Sequence, residues 1–193
     1  MPKVKQFDEK KILENAMNLF WKKGYHATSI QDLVSHLGIN RSSIYDTYGG
    51  KKELFDQSFE LYRTEGIAGL TVFLKKQTSV KKGFQNLFKS AIKQSLSDSD
   101  RKGCFVVNTT TELIPGDEAI QNILKKNKAA YEKIFYHFLL SGERSGEIPK
   151  GKDLKSIASL FYTFNNGLKV VAKIEPSRKK LLASVNVMLS LLD

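Results

Sequence analysis

Residues 28–51 read TSIQDLVSHLGINRSSIYDTYGGK, and the fold follows from how this stretch is divided. Ile30, Leu33, Val34 and Leu37 recur at i, i+3, i+4 and i+7, the spacing that lines one face of a helix with apolar side chains. Gly38 follows the last of them, where a helix stops most easily in a left-handed residue without Cβ, and Asn40 can cap a second helix through its side-chain oxygen. Two short helices joined by a turn of about three residues are the pattern of a helix-turn-helix.

In the second helix, Arg41 to Tyr48, only Ile44 and Tyr48 are spaced to face a core. Arg41, Ser42, Ser43, Tyr45, Asp46 and Thr47 project outward from a helix too short and polar to exist for burial. One reading is a surface for the DNA major groove. Arg bonds a guanine edge bidentately, Ser and Thr donate or accept, Tyr reaches a phosphate and Asp accepts from a cytosine amino group. The other reading is an ordinary helical hairpin inside an all-α domain, and spacing alone leaves both open.

The order Phe20 to Gly24, Thr28-Ser29-Ile30, Leu37-Gly38-Ile39, Ile44-Tyr45, Tyr48-Gly49 and Lys51 followed by Leu54-Phe55 resembles the N-terminal signature of the TetR/AcrR family of bacterial repressors, across about the first fifty-five residues. Thr47 and Asp46 depart from its common pattern and leave the operator sequence open. The resemblance implies a homodimer that binds double-stranded operator DNA, with Lys51 on phosphate, and that a small effector releases. The DNA-binding residues expected are Thr28, Ser29, Arg41, Ser42, Ser43, Tyr45, Asp46, Thr47 and Lys51. Thr28, Tyr45 and Lys51 are assigned mainly to phosphate.

Composition sets the outer bounds. The 193 residues, 41% apolar and 26% charged, suit a water-soluble globular chain with a substantial core. A net charge of +11 suits a polyanionic partner, although residues 1–52 hold only nine Lys and Arg against five Asp and Glu, so charge does not single out the DNA-binding end. No stretch approaches ~20 uninterrupted apolar residues, and MPKVKQFDEKK has no apolar signal core, so the expectation is a cytoplasmic protein without a membrane partner. One cysteine excludes an internal disulfide, and His26, His36 and His137 are scattered without ligand partners, so neither a metal nor another cofactor is expected.

Nine helices are predicted, and β-hairpin signals are absent. A basic arm precedes Asp8, which caps a first helix with Ile12, Leu13, Ala16, Leu19 and Phe20 on its core face and a stop at Gly24; Trp21 beside that stripe reads as packing. The next helix is capped by Thr28 with Gln31 or by Ser29 with Asp32. Lys51 opens a fourth helix that is expected to end or bend near Gly66 and Gly69, each costing about 1 kcal/mol against Ala. Further helices are placed over 80–96, 104–114 and 118–145, then one capped by Asp153 and one opened by Pro176-Ser177. The division expected is a three-helix DNA-binding domain over 1–52 and a ligand-binding and dimerisation domain over 53–193.

The last two helices are apolar on more than one side, which suggests a partner surface of Phe164, Gly167, Leu168, Val171, Leu181, Val185, Met188 and Leu192. Alternatively these residues only close the subunit's own core. An effector pocket is expected among helices four to eight, lined by Tyr62, Phe88, Cys104, Phe105, Asn108, Glu112, Tyr131, Phe135 and Asn165. Cys104 follows Arg101-Lys102-Gly103 at a helix start, a setting that favours a reactive thiol, whereas Phe105-Val106-Val107 beside it favours a buried structural one. An enzyme is disfavoured, since no glycine-rich phosphate loop, metal cluster or nucleophile–base pair is legible. A helical protein-interaction module is the remaining alternative.

Overall fold

The computed structural model describes residues 8–193 and contains, among them, nine α-helices and no strand. The basic arm before Asp8 lies outside the described residues. α1 (Glu9–Lys23) opens on the Asp8 carboxylate, which accepts from the amides of Lys10 and Lys11, and stops at Gly24 with φ +88°. α2 (Ile30–Leu37) starts in a capping box in which Ser29 and Asp32 satisfy each other's amides, so the Ser29/Asp32 alternative holds. Gly38 then takes the left-handed conformation, and the Asn40 side chain accepts from the Ser43 amide to start α3 (Arg41–Tyr48).

α4 (Lys51–Lys75) does not end at Gly66 or Gly69 but continues unbroken to Lys75. Packing decides against propensity here. A Cβ at Gly66 would lie 2.8 Å from the Tyr131 hydroxyl, so the glycine is what lets that side chain of α7 (Glu118–Ser145) approach. α5 (Val80–Ser97), α6 (Phe105–Leu113), α8 (Leu154–Ile174) and α9 (Arg178–Leu189) complete the set, with a 3-10 turn over Ser190–Leu192.

Two apolar cores result. The C-terminal one is built on Phe84, Phe88, Phe135 and Phe161, with Phe84 and Phe161 edge to face at 4.7 Å, and is sealed by Leu181, Val185, Met188, Leu189 and Leu192 of the last helix and turn. The N-terminal core joins Ile12, Ala16, Phe20, Leu33, Leu37, Ile44 and Tyr48 of the first three helices to Leu54, Phe55 and Phe59 of α4, and it also takes in Cys104, Phe105, Val106 and Leu113 from α6. Residues 52 and 53 fall in the first turn of α4, and the packing that holds α1 to α3 runs on through the start of α4. Phe105 is the keystone of the join. Its ring meets Phe55, Phe59 and Tyr62 edge to face at 5.3–5.8 Å, contacts that add to burial rather than replace it.

Candidate nucleic-acid interface

The outer face of α3 is polar and open. Arg41, Ser42, Tyr45 and Asp46 are exposed and Ser43 and Thr47 half-exposed, while Ile44 and Tyr48 anchor the helix from behind. The Arg41 guanidinium stacks over the Tyr45 ring at 5.6 Å, one turn apart on the same face. The Ser42 hydroxyl donates to Asn40 Oδ1 at 2.8 Å. Burial raises the Tyr48 phenol to about 12, helped by the charges of Glu9 and Asp8; it stays a neutral donor, bonded to the Glu9 carbonyl.

The flanking groups divide. Ser29 is exposed at the N-terminus of α2, but its hydroxyl is engaged with Asp32, whose carboxyl is held well below the usual range by the Lys23 ammonium at 2.6 Å and then by Ser29. Lys51 is half-buried with its ammonium 4.4 Å from the Tyr25 ring centre, and burial lowers its pKa against the opposing pull of Glu112 and Asp32. Gly50, which precedes α4, offers no side-chain cap, so the first amides of that helix keep their capacity for an anion. Thr28 requires a correction. It is fully buried, and its hydroxyl donates to the Gly24 carbonyl at 2.5 Å, so it shapes the α1–α2 turn from inside instead of meeting phosphate.

The residues expected to line an effector pocket are not gathered into one. Phe88 and Phe135 are interior to the C-terminal core, Phe105 to the N-terminal one, and Asn165 is buried on α8. Tyr131 lies between α4 and α8, its ring 5.8 Å from Tyr162, and burial pushes its phenol up to about 12. Asn108 donates to the Lys102 carbonyl and closes the loop ahead of α6. Glu112 is a second correction: its two carboxylate oxygens accept from the amides of His26 and Tyr25 at 2.7 and 3.0 Å, so it clasps the α1–α2 turn. Cys104 is buried as the N-cap of α6, with the Tyr62 hydroxyl and the Lys169 ammonium each 3.9 Å from its sulfur.

The partner surface is also corrected. Leu168, Leu181, Val185, Met188 and Leu192 are buried in the subunit's own core, as the self-packing alternative had it. Gly167 and Val171 instead lie on an exposed stripe of α8, with Phe164 half-exposed on it, and Leu160 and Ile174 extend that stripe at helical spacing, Ile174 being 79% exposed. On α9 the exposed apolar residue is Val187, followed by Leu191. Leu168 adjoins Gly167 of this stripe in sequence, and Met188 and Leu192 adjoin the exposed Val187 and Leu191. On α8 apolar side chains stand on both the inward and the outward face, so hydrophobicity by itself does not separate them.

A helix-turn-helix whose second helix is anchored by two residues and otherwise presented outward defines a DNA-binding transcriptional regulator. Comparison with known proteins gives the family. Residues 12–58 match the model for bacterial regulatory proteins of the tetR family. The chain is 34% identical over the full length of both proteins to the uncharacterized HTH-type transcriptional regulator YezE of Bacillus subtilis (strain 168). It is 31% identical over 94% of its length, and 86% of the relative's, to the HTH-type transcriptional repressor ComR of Escherichia coli (strain K12). Among solved structures it is similar to a cysteine mutant of the TetR family transcriptional regulator CifR complexed with 26 bp double-strand operator DNA (26% identity, 99% of this chain and 100% of the other, TM-score 0.88). The chain belongs to the TetR family of transcriptional regulators, which are not enzymes. No helix among the described residues is long and apolar enough to cross a membrane.

Proposed function

We propose that this protein is a cytoplasmic homodimeric repressor that places α3 of each subunit in the major groove of an operator half-site and is released by a small apolar or electrophilic effector. The observation that carries the reading is the outward face of α3, where Arg41, Ser42, Tyr45 and Asp46 are exposed, Ser43 and Thr47 half-exposed, and none of the six is in the core. Arg41 and Asp46 are the base readers, the hydroxyls set position, and Ser29, Lys51 and the open first turn of α4 meet the backbone. The repressor named ComR and the operator complex of CifR support this assignment by likeness. The apolar stripe of Leu160, Phe164, Gly167, Val171, Ile174 and Val187 pairs two subunits.

Release follows from how α6 is held. The helix carries Cys104 at its first end and Glu112 near its last, with Phe105 wedged into the N-terminal core between them. Bulk added at Cys104, or a ligand pressed against it, displaces the Tyr62 and Lys169 groups that face the buried sulfur and shifts the start of α6, and α6 moves the turn that positions α2. An effector can drive this only through different affinities for the two arrangements. The test is operator binding by variants: Arg41→Ala is expected to cost about 1–3 kcal/mol and relax one base preference, whereas Lys51→Ala weakens binding to all sequences and lowers the salt slope by about one. Equal losses on operator and random DNA for both variants contradict the assignment.

A further inference from the structure

A cleft of about 340 Å³ opens where the two cores meet, and it is lined by Trp21 of α1, Tyr62 of α4, Ala91 and Gln94 of α5, Lys102 of the loop before α6 and Lys169 of α8. Its charges are unbalanced. The Lys102 ammonium rests 4.7 Å from the Trp21 ring centre and the Lys169 ammonium 3.9 Å from the Cys104 sulfur, and among the described residues no carboxylate forms an ion pair with either, nor with Lys173, which reaches the Lys102 carbonyl at the rim. The one carboxylate on the lining, Asp98, is committed to the backbone amides of Asp100 and Lys102. Asp100, the other acid nearby, pairs with Lys22 at 2.8 Å. The indole N–H of Trp21 is buried and meets no acceptor in the protein, an unusual state for a buried donor.

We infer that this junction cleft is a binding site for a small organic anion, a carboxylate or its like carried on an apolar body. The two unpaired ammonium groups hold the charged end, and the walls of Trp21, Tyr62 and Ala91 cover the rest. The volume lies at the small end of the range for ligand pockets and so limits the guest to a compact one. Neutral compounds forfeit the ammonium contacts, and cations are repelled. A guest here touches α1 directly and lies against the Tyr62 and Lys169 groups that face Cys104, so it spans the junction through which α6 acts. In this the inference deepens the effector reading above and rests on it only for the consequence for DNA.

Trp21 is the sole tryptophan of the chain, so its emission reports the cleft without interference. The test titrates the full-length protein with phenylacetate and with neutral phenylacetamide, excited where only indole absorbs. The expected result is a saturable change in emission at least about tenfold tighter for the carboxylate. Lys102→Gln with Lys169→Gln should abolish that preference while thermal melting still shows a folded chain. No saturable response to phenylacetate, equal affinity for the amide, or an unchanged preference in the double variant each overturns the site; if the double variant fails to fold, Lys169→Gln alone is read in the same way. Phenylacetate that binds as expected but leaves DNA affinity unchanged at saturation upholds the site and overturns only the effector reading.

Discussion

Thr28 and Ser29 stand side by side, and their fates are opposite. The Thr28 side chain is fully buried and its hydroxyl is spent on the Gly24 carbonyl, whereas Ser29 faces solvent as the cap of α2. Thr28→Val keeps the shape but removes the donor to the partly buried Gly24 carbonyl, so a loss of about 0.5–1.5 kcal/mol in stability is expected, measured by denaturant unfolding. The salt dependence of DNA binding should stay as in the parent, because no phosphate contact is lost; a slope reduced by about one would restore Thr28 to the phosphate set. The outward exposure of most of α3 was legible because an eight-residue helix with two apolar positions leaves its polar ones outside, while spacing alone left open whether they meet DNA. The roles of Thr28 and Glu112 were hidden because a hydroxyl or carboxylate reads the same in sequence whether it meets a ligand or a backbone amide from a distant turn.

At the level of elements, helix starts were readable and contacts between helices were not. Asp8, Ser29, Asn40 and Asp153 cap where the local pattern puts them, since a cap is satisfied within three residues. The clasp by Glu112 joins residues more than eighty positions apart, beyond any periodicity. Glu112→Gln retains one acceptor and turns an amide N–H toward the other donor, so hydrogen exchange at the Tyr25 and His26 amides should quicken, with about 1–3 kcal/mol of local stability lost. Unchanged protection at those amides would mean that the turn holds itself.

Glu147 does similar work for α5: its carboxylate accepts from the Ser79 hydroxyl and from the Val80 and Lys81 amides at 2.6–2.9 Å. Burial opposes its ionisation, but these donors and the Lys81 charge outweigh burial and hold its pKa below the ordinary value. A carboxyl depressed in the folded state stabilises the protein above its unfolded pKa and loses that contribution as pH falls through the folded one. Glu147→Gln should therefore be less stable than the parent near neutrality, with the gap closing as pH falls through and below the ordinary glutamate range; the side chain is exposed, so the gap is small. A gap that stays constant over that range contradicts the contribution of charge.

For the whole molecule, all-α architecture followed from the 3.6-residue period and the absence of hairpin signals, but which of two apolar faces turns outward depends on packing that only the folded chain settles. Ile174 and Val187 stand outside while Val185 and Met188 stand inside. Ile174→Asp combined with Val187→Lys should give a helical monomer in sedimentation that loses operator affinity, whereas Val185→Asp should unfold the C-terminal core. A dimer unchanged by the first pair would move the interface elsewhere. DNA recognition by such a pair depends on spacing, since two α3 helices must meet half-sites about one helical turn, or a multiple of it, apart.

Central to the account is the claim that α3 of a symmetric dimer reads a specific duplex. The most direct measurement is a hydroxyl-radical footprint of the full chain on duplexes enriched by it from a random library. Two protected patches on one face of the DNA, related by an inverted repeat and lost together in Arg41→Ala, are the predicted result. Failure to enrich any sequence, or protection that Arg41→Ala leaves intact, would contradict it.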